Sequence, residues 1–162
     1  MYLVRSGGRI AEMSNALNAS IRSTGNLGIA VTNLGTTDAL RPGRTASSRL
    51  LLGPLVSATA GVPCVVLTTV NVQADKQTGG TVAAQINHQI KALALSDPTK
   101  YKVVDWNEFL VTLPPPSVPT YLQANSLLET PAGAAWLAKS DQAAVRTCGS
   151  THQPTVIGPN SG

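Results

Sequence analysis

Val62-Pro63-Cys64-Val65-Val66-Leu67-Thr68-Thr69-Val70 is the clearest strand in the chain, a short apolar run. Two other segments read the same way. Leu27–Leu34 is apolar at both alternating positions, as a strand covered on both faces requires, and Lys102-Val103-Val104-Asp105-Trp106 follows later. Tyr2-Leu3-Val4 is a shorter candidate near the start. Between these segments apolar residues recur at helical spacing. Arg9–Ala19 carries Ile10, Met13 and Leu17 on one face, and Gly80–Ala94 carries Val82, Ile86, Ile90 and Leu93. Ser47–Thr59 is a further helix, which Pro54 is expected to bend or shorten. Thr130–Cys148 is the last: Thr130 suits the N-cap, Pro131 the first helical position and Gly149 the stop. Leu113–Thr120 is proline-rich and is expected to be a loop. The alternation predicts an α/β domain over residues 1–148 with a mostly parallel sheet, Leu27–Leu34, Val62–Val70 and Lys102–Trp106 being neighbours. Right-handed crossovers then place helices on both faces, a three-layer sandwich. Residues 149–162 read as a polar, Pro/Gly-rich tail outside that domain.

Composition narrows the partners. The 162 residues suffice for one real core, and 43% hydrophobic against 12% charged residues excludes global disorder. Aromatics are 4%, so the core must come from Ala, Val, Leu and Ile. A net charge of +4 permits a nucleic-acid partner, but the basic residues are scattered and no aromatic-interleaved basic run exists, so none is expected. No apolar run approaches the ~18 residues of a membrane span. The longest, Leu50–Val56, is interrupted by Gly53 and Pro54, and Met1 is not followed by a secretory signal pattern. His88 and His152 lack a surrounding cluster of cysteines or carboxylates, so neither a structural zinc site nor a cofactor is expected.

On a parallel sheet, functional residues gather at the carboxyl ends of the strands. Here those ends are Gly35–Asp38, Asn71–Asp75 and Asp105–Asn107, all polar. Asp38 is either a site residue or a carboxylate satisfying turn backbone, and Asp105 reads as structural. Arg41, Arg44 and Arg49 form either an anion-binding rim or a solvated basic loop. His88 falls on the polar face of its helix. His152, in the tail, would have to swing inward to act as a base. Cys64 starts its strand at the bottom of the sheet, and Cys148 ends a helix running from top to bottom. The two can therefore meet in a disulfide, which would imply an oxidising compartment, or remain two buried thiols.

Asn125-Ser126-Leu127-Leu128-Glu129-Thr130-Pro131-Ala132-Gly133 resembles the Asp-x-x-His-x-Thr-x-x-Gly segment of SGNH/GDSL-type ester hydrolases. Thr130 and Gly133 match, whereas Asn125 stands where that family has its Asp and Leu128 where it has its His. Leu34-Gly35-Thr36-Thr37-Asp38 resembles the family's Gly-x-Asn-Asp block, with Thr37 in place of the oxyanion-binding Asn. Gly8 is similar in position to the glycine that donates a backbone N–H to the oxyanion. The run Val62–Asn71, then Ile86-Asn87, then Val103–Asn107, looks like actinobacterial secreted members of the family. The resemblance extends from about Leu3 to Cys148 and implies a flavodoxin-like sheet. It also implies that the family's first strand, with its Gly-Asp-Ser nucleophile block, is missing before Leu3.

Ester hydrolysis by that family needs a serine, an oriented base and oxyanion donors. Leu128 cannot accept a proton, Asn125 cannot stabilise an imidazolium as a carboxylate would, and Thr37 reaches less far than Asn. The resemblance therefore implies a non-catalytic SGNH-like domain that binds a glycan, an acyl ester or a protein, or that assembles. The alternatives are an active ester hydrolase or acyl transferase with a rearranged site that uses Ser161 or another serine, and a truncated, decaying gene product. Thr155-Val156-Ile157 in the tail is a short apolar segment expected to fill the vacant strand position, within the chain or by strand addition in a homo-oligomer. A disulfide would place the protein in an extracellular, cell-envelope or virion setting.

Overall fold

A computed structural model describes residues 8–25, 27–40, 51–73, 82–123 and 129–149. The order of elements is α1 (Ile10–Thr24), β1 (Ile29–Thr32), α2 (Thr36–Ala39), α3 (Gly53–Ala58), β2 (Cys64–Thr68), α4 (Val82–Ser96), β3 (Tyr101–Val104), α5 (Trp106–Thr112), a 3-10 turn (Pro115–Ser117), α6 (Val118–Tyr121) and α7 (Pro131–Arg146). The protein is thus mixed α/β. The three strands among the described residues form one parallel sheet in the order β1-β2-β3, as expected. Ile29 pairs with Cys64 and Thr32 with Leu67, while Val65 pairs with Tyr101 and Thr68 with Val104.

β2 is buried at every position, which is why its sequence is a continuous apolar run rather than an alternation. Its side chains feed two hydrophobic clusters on opposite faces of the sheet. Val65 and Leu67 join Ile10 of α1, Leu55 of α3 and Ile86 and Ile90 of α4. Cys64 and Val66 join Trp106 and Leu110 of α5, Leu137 of α7 and Cys148. The aromatic residues concentrate in the second cluster. Phe109 stacks on Trp136 at 4.1 Å between ring centroids, Trp106 lies 5.3 Å from Trp136, and Tyr121 meets Phe109 edge-on.

Several element boundaries differ from the sequence reading, each for a local reason. α1 runs past Ala19 to Thr24 and stops where Gly25 takes φ 82°, a conformation that favours glycine. α3 begins at Gly53, so Pro54 sits in its first turn, where a missing N–H costs nothing, instead of bending a longer helix. Trp106 opens α5 instead of ending β3, because the Asp105 side chain accepts the Glu108 N–H (3.0 Å) and caps the helix. Leu113–Thr120 is not a plain loop. Pro115–Ser117 and Val118–Tyr121 are short helical turns that tolerate their prolines at N-terminal positions. β1 is covered unevenly: Ala30 is buried on one face, and on the other Ile29 packs against the second cluster while Val31 is 47% exposed. Tyr2-Leu3-Val4, residues 41–50 and the tail after Gly149 lie outside the described residues. Among the described residues, no helix is long and apolar enough to cross a membrane.

Cys64 and Cys148 form a disulfide, with 5.8 Å between their Cα atoms and a sequence separation of 84. α7 descends the sheet and ends over the start of β2, which brings the two together. The bond closes a loop long enough to stabilise by about 4–5 kcal/mol in the chain-entropy account.

Candidate functional site

The carboxyl ends of β2 and β3 hold a polar cluster whose members are bonded to one another and to backbone. Thr69, fully buried, donates its hydroxyl to Asp105 Oδ1 (2.9 Å) and accepts the Asn107 N–H on the same oxygen (2.9 Å). Asn107 Oδ1 accepts the Val72 N–H (3.0 Å). Asn87 reaches across from α4, its Oδ1 accepting from Val70 N–H (2.7 Å) and its Nδ2 donating to Val70 carbonyl (2.8 Å). Asn71 Oδ1 accepts the Gln73 N–H (2.9 Å). Lys91, one turn after Asn87, pairs with Asp105 Oδ2 at 2.7 Å. The backbone after β2 leaves the sheet here and loses its ladder partners. These side chains replace them.

Charge follows from the same contacts. Burial alone would raise the Asp105 carboxyl, but the bonds from Lys91, the Glu108 N–H and the Thr69 hydroxyl outweigh it and hold the group below its ordinary value. The bond to Asp105 raises Lys91 in turn. Both groups are thus locked in their charged forms, the opposite of the poise near neutrality that an acid or base needs.

Gly35, after β1, has φ 115° and lies against α4 and the end of β2. A Cβ there would sit 2.9 Å from Val70 Cγ2. Asp38, in the single turn of α2, accepts the Ile10 N–H through Oδ2 (2.9 Å) and so anchors the start of α1. That bond also brings the segment after Gly8 beside α2, so Gly8, Thr37 and Asp38 share one corner. Gly8 and Thr37 are both half-buried. At the start of α7, Thr130 caps the helix by accepting the Gly133 N–H (3.2 Å) and donates its hydroxyl to the Thr120 carbonyl. Gly133 lies so close under Tyr121 that a Cβ would collide with the Tyr121 carbonyl oxygen. Asn125, Leu128, Ser161, Arg41, Arg44, Arg49 and His152 lie outside the described residues. His88 is exposed on α4, as its helical position implies. No group of His, Cys, Asp and Glu among the described residues could hold a metal.

Sequence reasoning missed Lys91 and the structural role of Thr69. The signal for Lys91 is its i+4 spacing from Asn87 on a helix whose face was already set by Ile86 and Ile90. A second feature was not anticipated. A groove of about 750 Å³ runs along β3 between α4 and α7, lined by Lys102, Val103 and Asp105 together with Trp136, Ser140 and Thr147. No protein-family model, curated protein or solved structure matches the chain.

Proposed function

We propose that the protein is a non-catalytic SGNH-like domain that serves as a binding or assembly module. In this reading its sheet is the flavodoxin-like core of a three-layer sandwich. One observation carries the proposal: Gly35, Asp38, Thr130 and Gly133, which match the family pattern, have structural work, and the dyad positions are replaced. Gly35 and Gly133 occupy positions too tight for a side chain, Thr130 caps α7, and Asp38 anchors α1. Each would be kept by a chain that needs the fold and not the reaction. Asn125 and Leu128 stand in the sequence where the Asp and His of a working dyad would be. The side of β1 that no strand among the described residues pairs with is where the resemblance puts the family's first strand. The disulfide supports an oxidising, extracytoplasmic or virion setting.

Hydrolysis of p-nitrophenyl acetate tests the reading. The expected rate is that of buffer containing an inert protein. A rate abolished by replacing one specific serine would overturn the proposal. Restoring the dyad residues with Asn125→Asp and Leu128→His should leave the rate at background, because a base without an aligned nucleophile supplies no acyl-enzyme route.

A further inference from the structure

We infer that the exposed edge of β3 is a docking strand for an extended, acidic segment of another polypeptide, which adds to the sheet in the groove between α4 and α7. The inference rests on the strand edge and its charge, not on the family resemblance.

The hydrogen bonds of the sheet set the geometry. Val65 N–H donates to the Lys100 carbonyl (2.8 Å) and Thr69 N–H to the Val104 carbonyl (3.0 Å). In a parallel ladder the even-numbered residues of β3 therefore turn their backbone groups toward β2, and the odd-numbered ones turn theirs away. The Tyr101 N–H is taken by the Asp97 carbonyl (2.9 Å). The Tyr101 carbonyl and both backbone groups of Val103 point into the groove. Among the described residues no strand pairs with them. An exposed row of this kind is a template for another strand.

The walls leave room for one. Ala94 and Pro98 line the space from the α4 side, and Ser140, Ala143 and Ala144, together with Trp136, line it from α7. A strand added here alternates its side chains between the two walls. Those turned toward α4 meet Ala94 and Val103, and so are apolar. Those turned toward α7 pass Lys102. Asp105, the one carboxylate lining the groove among the described residues, is already paired with Lys91, whereas Lys102 Nζ donates to the neutral Pro98 carbonyl and no described carboxylate pairs with it. The charge left over is positive, and an acidic side chain complements it.

The same lysine disfavours a second copy of this chain as the occupant. Pairing β3 antiparallel with its own copy about Val103 puts the two Lys102 side chains on one face at diagonal positions, where like charges repel. A strand of this chain placed beyond β3 is disfavoured by handedness. β1, α3 and β2, then β2, α4 and β3, advance across the sheet with their helices on one face. α7 lies on the other face, so a further step in the same direction would be a left-handed crossover.

Amide spectra of the uniformly labelled full chain test this with two short synthetic peptides, one alternating Val and Glu and one alternating Val and Lys. The Val–Glu peptide should shift the Val103 amide and slow its exchange with solvent. The Val–Lys peptide should bind about tenfold more weakly, since attraction at Lys102 becomes repulsion. Val103→Pro removes a donor that β2 does not use, at an edge position where proline is tolerated, and should weaken Val–Glu binding about fivefold. Lys102→Glu, which leaves the backbone alone, should reverse the preference between the peptides. Equal binding of both peptides, or shifts that avoid Val103, would overturn the inference. So would self-association that protects the Val103 amide without peptide. None of these readouts depends on ester hydrolysis, so the two proposals fail separately.

Discussion

Gly133 has no room for a side chain, because the Tyr121 carbonyl oxygen occupies the place a Cβ would take. Gly133→Ala should cost about 1–3 kcal/mol, the usual penalty for overpacking, measured by urea unfolding. The sequence shows this glycine only as part of a resembling motif. Its steric cause lies in α6, a turn that the prolines of Leu113–Thr120 disguised as loop. Asp105 carries a second expectation. Its folded pKa is lowered, so its contribution to stability is present above the ordinary value of 3.8 and is lost as pH falls below it through the folded value. Lys91, raised from 10.5, contributes below that value and loses its contribution as pH rises above it. Asp105→Asn should therefore lower the melting temperature at neutral pH and flatten its decline below pH 3.8. Thermal unfolding across the acid range measures both. That Asp105 is structural was legible from its place at a strand end. That Thr69 and Lys91 hold it was not, because both partners come from other elements.

At the scale of elements, the clearest reading was β2, and the reason is physical. A strand covered on both faces favours a near-continuous apolar run, which β2 carries from Cys64 to Leu67 before the buried Thr68. α7 was equally plain, since cap and first-turn chemistry are local: Thr130, Pro131 and the stop near Gly149 stand within a residue or three of their expected places. Thr130→Ala removes both the bond from Gly133 N–H and the bond to the Thr120 carbonyl. It should cost about 1 kcal/mol and speed amide exchange in the first turn of α7. β1 was over-read. Its apolar residues predict cover on both faces; Ile29 meets the second cluster as expected, yet Val31 beside it is exposed, because sequence shows what a strand can bury and not how far its cover extends. The start of α5 was under-read. Asp105 and Glu108 stand at the cap and third positions of a helix start, a spacing that competes with the apolar run before it.

For the whole molecule, the alternation of strands and helices was enough to give a parallel sheet and the adjacency of its three strands, because crossover handedness leaves few other arrangements. The groove along β3 was not legible. It is made by what α4 and α7 fail to fill, and no sequence pattern records a space. The Cys64–Cys148 bond stood between two readings because a helix running down the sheet brings the cysteines near each other without fixing the geometry a bond needs. Replacing both cysteines with Ala should lower stability by about 4–5 kcal/mol, read from urea midpoints of oxidised and variant protein, with most of the loss reproduced by adding a reductant to the parent chain. The bond has a mechanical consequence as well. It joins the end of the last helix to the base of the central strand, so tension applied beyond Gly149 passes through sulfur directly into β2. The segment between the cysteines, spanning a sequence separation of 84, lies off that load path. Even after complete unfolding it would add nothing to the stretched length, hiding about 290 Å of chain that only reduction releases.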